Sequence, residues 1–224
     1  MASKALAYEP RGVLWDLDGT LIDSAEQHYA AWRDTLAERG REHPREEFAR
    51  FFGRRNDVIL HEMFGDDLAP GEAGRIAHDK EERYRRLVRS GGLEPLPGVM
   101  DWLGRLKEQG FRQALATMAP AAKVEVVVEV LGLHSLLDAT AAAEDVASGK
   151  PAPDIFLEAA RRIGVPPGRC VVVEDAPAGL EGARRAGMRS VGVLSDHHPR
   201  LEADAVVPSL TALPPDTIRR LLES

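Results

Sequence analysis

Acidic, hydroxyl and amino side chains that could act together on one substrate stand at four places in the 224-residue chain. They are Asp16 and Asp18 in Asp16-Leu17-Asp18-Gly19, Thr117, Lys150 in Ser148-Gly149-Lys150-Pro151, and the pair Glu174-Asp175. Carboxylates crowded into one pocket repel, so they share a proton or hold a cation, and an all-oxygen ligand set suits a hard ion such as Mg²⁺. Lys150 would offset further negative charge. Asp16 and Asp18 are two apart and would share a face of an extended segment, while Gly19 lets the backbone curl and aim amide N–H groups at an anion. Such a site supports phosphoryl transfer. One carboxylate attacks phosphorus, the cation and the lysine neutralise the phosphoryl oxygens, and a second carboxyl group shuttles the proton.

These residues can meet only if the elements before them end at one place. Gly12 to Leu17 is short, apolar and closed by the Asp-x-Asp-Gly turn, as a buried strand opening onto a loop would be. Strand-like runs recur at Phe111 to Thr117, Cys170 to Val173, Ser190 to Leu194 and Ala205 to Val207. Helical patterns lie between them at Val99 to Gln109, Ala121 to Leu131, Asp154 to Ile163 and Ala178 to Ala186, with glycine stops at 110, 132, 164 and 187. Alternating strand and helix predicts an α/β fold with a parallel sheet, in which ligands sit beyond the carboxyl ends of the strands. Asp16, Asp18, Thr117, Glu174 and Asp175 all fall at such ends.

Residues from about Asp23 to Leu96 break the rhythm with helical patterns only, at Ser24 to Arg39, Glu46 to Phe51, Asp57 to Phe64 and Pro70 to Arg89. Ser24 followed by Gln27 is a capping-box signature, and the return segment Ser90 to Pro97 is rich in Gly and Pro. The expected organisation is therefore a discontinuous α/β core, 1–22 and 97–224, with an inserted helical domain, 23–96.

With 29 Lys and Arg against 36 Asp and Glu, the net charge of −7 offers no overall attraction for nucleic acid or an anionic membrane. A single cysteine, Cys170, excludes an intramolecular disulfide and any multi-cysteine metal site. No stretch approaches the apolar length of a membrane span and the N-terminus lacks a signal-peptide core, so a soluble cytoplasmic protein is expected, as a monomer or small homo-oligomer. Gly-x-Ser-x-Gly, His-Glu-x-x-His and Gly-x-Gly-x-x-Gly motifs are absent. Trp32 and Trp102 read as core residues, and His197-His198 as a solvent-facing pair, since adjacent histidines lack the spacing of a helical metal pair.

Asp16-Leu17-Asp18-Gly19-Thr20-Leu21, Thr117, Lys150-Pro151 and Glu174-Asp175 together resemble the four ordered motifs of the haloacid dehalogenase superfamily. Within it, Gly149 to Phe156 and Glu174 to Gly179 are most similar to the phosphatases of the beta-phosphoglucomutase-like branch. The resemblance implies a Rossmann-like core with a helical cap, and a Mg²⁺-dependent phosphohydrolase acting on a small phosphorylated metabolite, a sugar phosphate by preference. It implies Asp16 as nucleophile and Asp18 as general acid and base. Mg²⁺ would be held by Asp16, the backbone carbonyl of Asp18 and Asp175, with Glu174 orienting metal-bound water. Thr117 would hydrogen-bond a phosphoryl oxygen and Lys150 would bridge phosphate and nucleophile.

By the same resemblance the insert is a cap that selects the substrate, with His28, Gly53, Arg54, Arg55 and Lys80 as candidate contacts and Tyr84 one turn from Lys80. Two stretches depart from a mutase. Gly53-Arg54-Arg55-Asn56 displaces the arginine that would grip a second phosphate, and Met118-Ala119-Pro120 stands where a polar residue and a lysine are expected. The alternatives are a beta-phosphoglucomutase-type isomerase using the same aspartyl-phosphate and, from another class, a receiver-type phospho-aspartate signalling module. Asp18, placed to speed aspartyl-phosphate breakdown, and the large insert both speak against a signalling switch.

Overall fold

A computed structural model describes residues 9–51, 56–195 and 197–223. The chain divides into two compact units, one of Met1–Ile22, Pro95–Val124 and Gly132–Ser224, the other of Asp23–Glu94 and Glu125–Leu131.

The first unit is built on a six-stranded, wholly parallel sheet. Its strands are β1 (Gly12–Trp15), β2 (Arg112–Ala116), β3 (Ala139–Ala141), β4 (Cys170–Glu174), β5 (Arg189–Val193) and β6 (Ala205–Val207), in the spatial order β3-β2-β1-β4-β5-β6. Strands covered on both faces must be apolar throughout rather than alternating. Gly12 to Trp15 and Cys170 to Glu174 are buried at every position. Register decides what the strand ends bring together. Trp15 lies opposite Leu115 on one side and Val173 on the other, so Asp16, Ala116 and Glu174 follow at one level. The strand order reverses at β1, the crevice where open α/β sheets bind ligands.

The second unit contains α1 (Ala25–Ala37), α2 (Arg45–Phe51), α3 (Asn56–Phe64) and α4 (Glu72–Arg89). Its core gathers Trp32, Leu36, Phe48, Ile59, Leu60 and Ile76. α4 buries Ile76, Lys80, Tyr84 and Val88, a stripe at strict i, i+4 spacing in which one member is a lysine. The expected capping box does not form. Ser24 makes no side-chain capping bond, the Ala25 N–H donates instead to Asp23 Oδ1 at 3.0 Å, and the Gln27 amide donates to the Gly92 carbonyl. An amide side chain can donate as well as accept, and here a loop carbonyl takes its N–H.

The remaining helices are α5 (Val99–Glu108), α6 (Ala121–Val130), α7 (Asp154–Arg162), α8 (Pro177–Arg185) and α9 (Thr217–Glu223). α7 buries Ile155, Phe156, Ala159 and Ala160 in a cluster with Leu14, Ala114 and Val172 of the sheet, the alanines contributing small contact surfaces. Trp102 is buried, and its indole N–H donates to the Leu210 carbonyl at 2.9 Å. β2 carries a fully buried Gln113. It accepts from Trp15 Nε1 at 3.1 Å and donates to the carbonyls of Leu103 and Leu136, so its polar atoms are satisfied inside the core. Among the described residues no helix is long and apolar enough to cross a membrane.

Candidate active site

Asp16 is the first residue beyond β1, and its N–H donates to the Val173 carbonyl at 3.0 Å, which extends the pairing with β4 by one step. The chain then turns. Leu21 and Ile22 donate to the Leu17 carbonyl and Gly19 donates to Ile22, with Leu17, Leu21 and Ile22 buried as anchors. Gly19 has φ +86°, and a Cβ there would lie 2.3 Å from Asp175 Oδ2. Only glycine permits both the turn and the approach of Asp175 to this loop.

Lys150 ties the ends of β1 and β4 together. Its ammonium donates to Asp16 Oδ1 and, at 2.7 Å, to Glu174 Oε1. The other Glu174 oxygen accepts the Ala176 N–H at 2.5 Å, so this buried carboxylate is fixed at both oxygens. Burial works against the Lys150 charge, but Asp16 and then Glu174 outweigh it and hold its pKa above the usual lysine value. Burial pushes Asp16 up to about 8; Lys150 pulls it down and Glu174 pushes it further up. Asp175 is pushed up to about 7 by burial and then by Glu174, against a hydrogen bond from the Ser195 side chain.

Thr117 follows β2. Its N–H donates to the Ala141 carbonyl of β3 at 3.1 Å, and its hydroxyl accepts from the Ala119 N–H at 3.1 Å. Asp18 is held from elsewhere, by Lys123 in the first turn of α6, whose Nζ donates to Oδ1 at 2.7 Å and to Oδ2 at 2.6 Å. The sequence reading passed over Lys123. The available signal is a single basic residue in an otherwise Ala, Val and Glu helix, six residues after Thr117.

His198 corrects the expectation of a wholly solvent-facing histidine pair. Its Nδ1 lies 3.8 Å from Asp175 Oδ2 with the side chain about one-third exposed, whereas His197 is exposed. The helical unit gathers its own polar group. Lys80, buried, donates to His28 Nδ1 at 2.9 Å and to Glu81 Oε1 at 2.7 Å, and Glu81 also accepts from Asn56 at 2.9 Å. The His28 ring stacks on Tyr84 with centroids 4.3 Å apart. Since His28 Nδ1 accepts, the neutral ring carries its proton on Nε2. Gly53, Arg54 and Arg55 lie outside the described residues.

Asp16, Asp18, Glu174 and Asp175 thus set four carboxylates against the two ammonium groups of Lys123 and Lys150. Among the described residues no three His, Cys, Asp or Glu side chains gather closely enough to hold a metal unaided. That donor set fits a hard cation that keeps several waters and takes one or two carboxylates plus substrate phosphate, as Mg²⁺ does. Burial first, and repulsion from Glu174 after it, raise Asp16 and Asp175, and a cation beside them would favour their charged forms.

A family model of haloacid dehalogenase-like hydrolases matches residues 10–187. The chain belongs to the haloacid dehalogenase-like hydrolases. The match spans every residue of the strand-end cluster, and the chain is an enzyme of this hydrolase family. It is 35% identical over 185 residues to fructose-1-phosphate phosphatase YqaB of Escherichia coli, covering 81% of this chain and 95% of the relative. It is 33% identical over 207 residues to beta-phosphoglucomutase of Bacillus subtilis, covering 88% of each. Among solved structures, CbbY from Rhodobacter sphaeroides in complex with phosphate superposes with a TM-score of 0.83 at 30% identity, over 91% of this chain and 96% of the other.

Proposed function

We propose that this haloacid dehalogenase-like enzyme is a Mg²⁺-dependent phosphatase that releases phosphate from a small phosphorylated metabolite, a sugar phosphate by preference, through an aspartyl-phosphate on Asp16. The observation that carries the reading is Lys150 bonded to both Asp16 and Glu174 at the sheet's crevice, with Asp18 held separately two residues beyond Asp16. The Lys150 ammonium pulls Asp16 toward its charged, nucleophilic form against the effect of burial. Asp18, two residues beyond Asp16 and with a side chain 29% exposed, is the second carboxyl group able to exchange a proton with the leaving oxygen and with water.

In the first step an Asp16 oxygen bonds to phosphorus, the bond from phosphorus to the sugar oxygen breaks, and Asp18 gives that oxygen a proton. Thr117 and Lys150 orient the phosphoryl oxygens. In the second step Asp18 takes a proton from water, the water oxygen bonds to phosphorus, and the Asp16–phosphorus linkage breaks to release inorganic phosphate. Asp16, Asp175 and the Asp18 carbonyl would hold Mg²⁺, which when bound supplies positive charge to the phosphoryl oxygens. Glu174, fixed by Ala176, serves to hold Lys150 in place.

Residues 23–96 are assigned as the cap, and His28 and Lys80 as residues that select the substrate. The similarity to a phosphatase and to a mutase at nearly equal identity keeps an isomerase as the second reading. Phosphate release from a panel of sugar phosphates and nucleotides, with and without Mg²⁺, separates the two when β-glucose 1-phosphate is also assayed for glucose 6-phosphate. Metal-dependent release of phosphate is expected. Isomer formation without release would replace the phosphatase with the mutase, and turnover by Asp16→Asn would remove the nucleophile from either.

A further inference from the structure

We propose that Lys123 is a positioning residue for Asp18, a clamp that keeps the second carboxylate of the Asp16-Leu17-Asp18 segment aimed at the reacting atoms; this rests on the reading of Asp18 as the acid and base. Lys123 occupies a place that costs a lysine twice. It lies in the first turn of α6, at the positive end of the helix dipole, where cations are disfavoured. It is also only 2% exposed, and a buried ammonium is expensive unless a carboxylate and hydrogen bonds meet it. Helix propensity or solvation would therefore not place a lysine here.

Both costs are offset at Asp18, whose two oxygens lie 2.7 and 2.6 Å from Nζ. The side chain of Lys123 is 3% exposed and that of Asp18 29%, so the ammonium meets the carboxylate from the buried side. Contact with both oxygens holds the carboxylate in position. Lys150, from a different loop, holds Asp16 and Glu174. The two aspartates therefore answer to two lysines, and the proton-moving group is oriented independently of the nucleophile. Met118-Ala119-Pro120 leaves the start of this loop without a cation, and Lys123 brings one back from the following helix.

The clamp acts on proton transfer, while the groups assigned to the phosphoryl oxygens, Thr117 and Lys150, are untouched by its removal. Losing it should therefore lower kcat and leave KM nearly unchanged. The test is a double-mutant cycle with p-nitrophenyl phosphate and Mg²⁺, using Lys123→Met, Asp18→Asn and the pair together. Lys123→Met is expected to lower kcat about tenfold or more with KM within about twofold, and to cost less than about twofold once Asp18 is already asparagine. Lys123→Arg keeps the charge and can reach both oxygens, so it should lose less rate than Lys123→Met.

An equal loss in both backgrounds would overturn the clamp by showing a merely structural role. So would unchanged kcat with a raised KM, which would make Lys123 a substrate contact, or no loss at all. Thermal unfolding checks that Lys123→Met is folded, and Lys123→Gln takes its place in the cycle if it is not. Failure of the underlying reading shows separately, as near-normal turnover in Asp18→Asn alone.

Discussion

Cys170 and Lys150 show how burial can silence one group and arm another. Cys170 opens β4 fully buried, with its thiol against the Pro166 carbonyl at 3.6 Å and beside Gly12, where a Cβ would lie 2.9 Å from Sγ. Burial pushes its pKa up from 9.0 to about 12. The thiolate is the reactive form, so at pH 8 the folded protein should react with a disulfide reagent roughly a thousandfold more slowly than the urea-unfolded chain. Comparable rates in the two states would show that Cys170 is not enclosed. A pKa raised on folding stabilises fully below about 9 and less as pH climbs toward 12, so alkali should weaken the fold. Lys150 is buried too, yet two carboxylates keep it charged, and it is among the residues that the motifs make legible. Lys123 was not legible. Its contact with Asp18 spans 105 positions, and nothing local to α6 announces which carboxylate it reaches.

Elements place these groups through close approach as much as through register. α8 begins three residues after Glu174 and brings Gly179 against that side chain, where a Cβ would stand 1.8 Å from Oε1. Gly179→Ala must displace Glu174 and with it the Lys150 ammonium. The expected result is a fall in kcat of about ten- to a hundredfold, with overpacking costing about 1–3 kcal/mol in urea unfolding. Unchanged kinetics would mean that Glu174 does not hold Lys150 during turnover. Most elements were readable because their patterns are strong: β1 and β4 are continuous apolar runs, and α4 keeps its i, i+4 stripe. Two were not. β3, Ala139–Ala141, has three residues and only partial burial, yet its carbonyl at Ala141 receives the Thr117 N–H. α9, Thr217–Glu223, is a short helix close to the chain end with a weak periodic signal. The capping box failed for a different reason, since Gln27 found a partner 65 residues away that no local motif encodes.

At the scale of the molecule, a chain of net charge −7 needs lysines to offset the carboxylates crowded at its site. The fold concentrates two of them, Lys150 and Lys123, on the acidic strand ends of a parallel sheet. That the acidic strand ends would meet was foreseeable from alternating strands and helices, because ligands of such sheets bind beyond those ends. The central claim is that phosphate leaves through a covalent bond to Asp16, and the most direct measurement traps that bond. Asp18→Asn, which lacks the base for the second step, would be mixed with p-nitrophenyl phosphate and Mg²⁺, quenched, reduced with borohydride and mapped by mass spectrometry. The account predicts reduction of residue 16 to homoserine, and no such product in Asp16→Asn. Steady phosphate release by the wild-type enzyme with residue 16 unmodified in the trapped variant, or a label on another carboxylate, would contradict it.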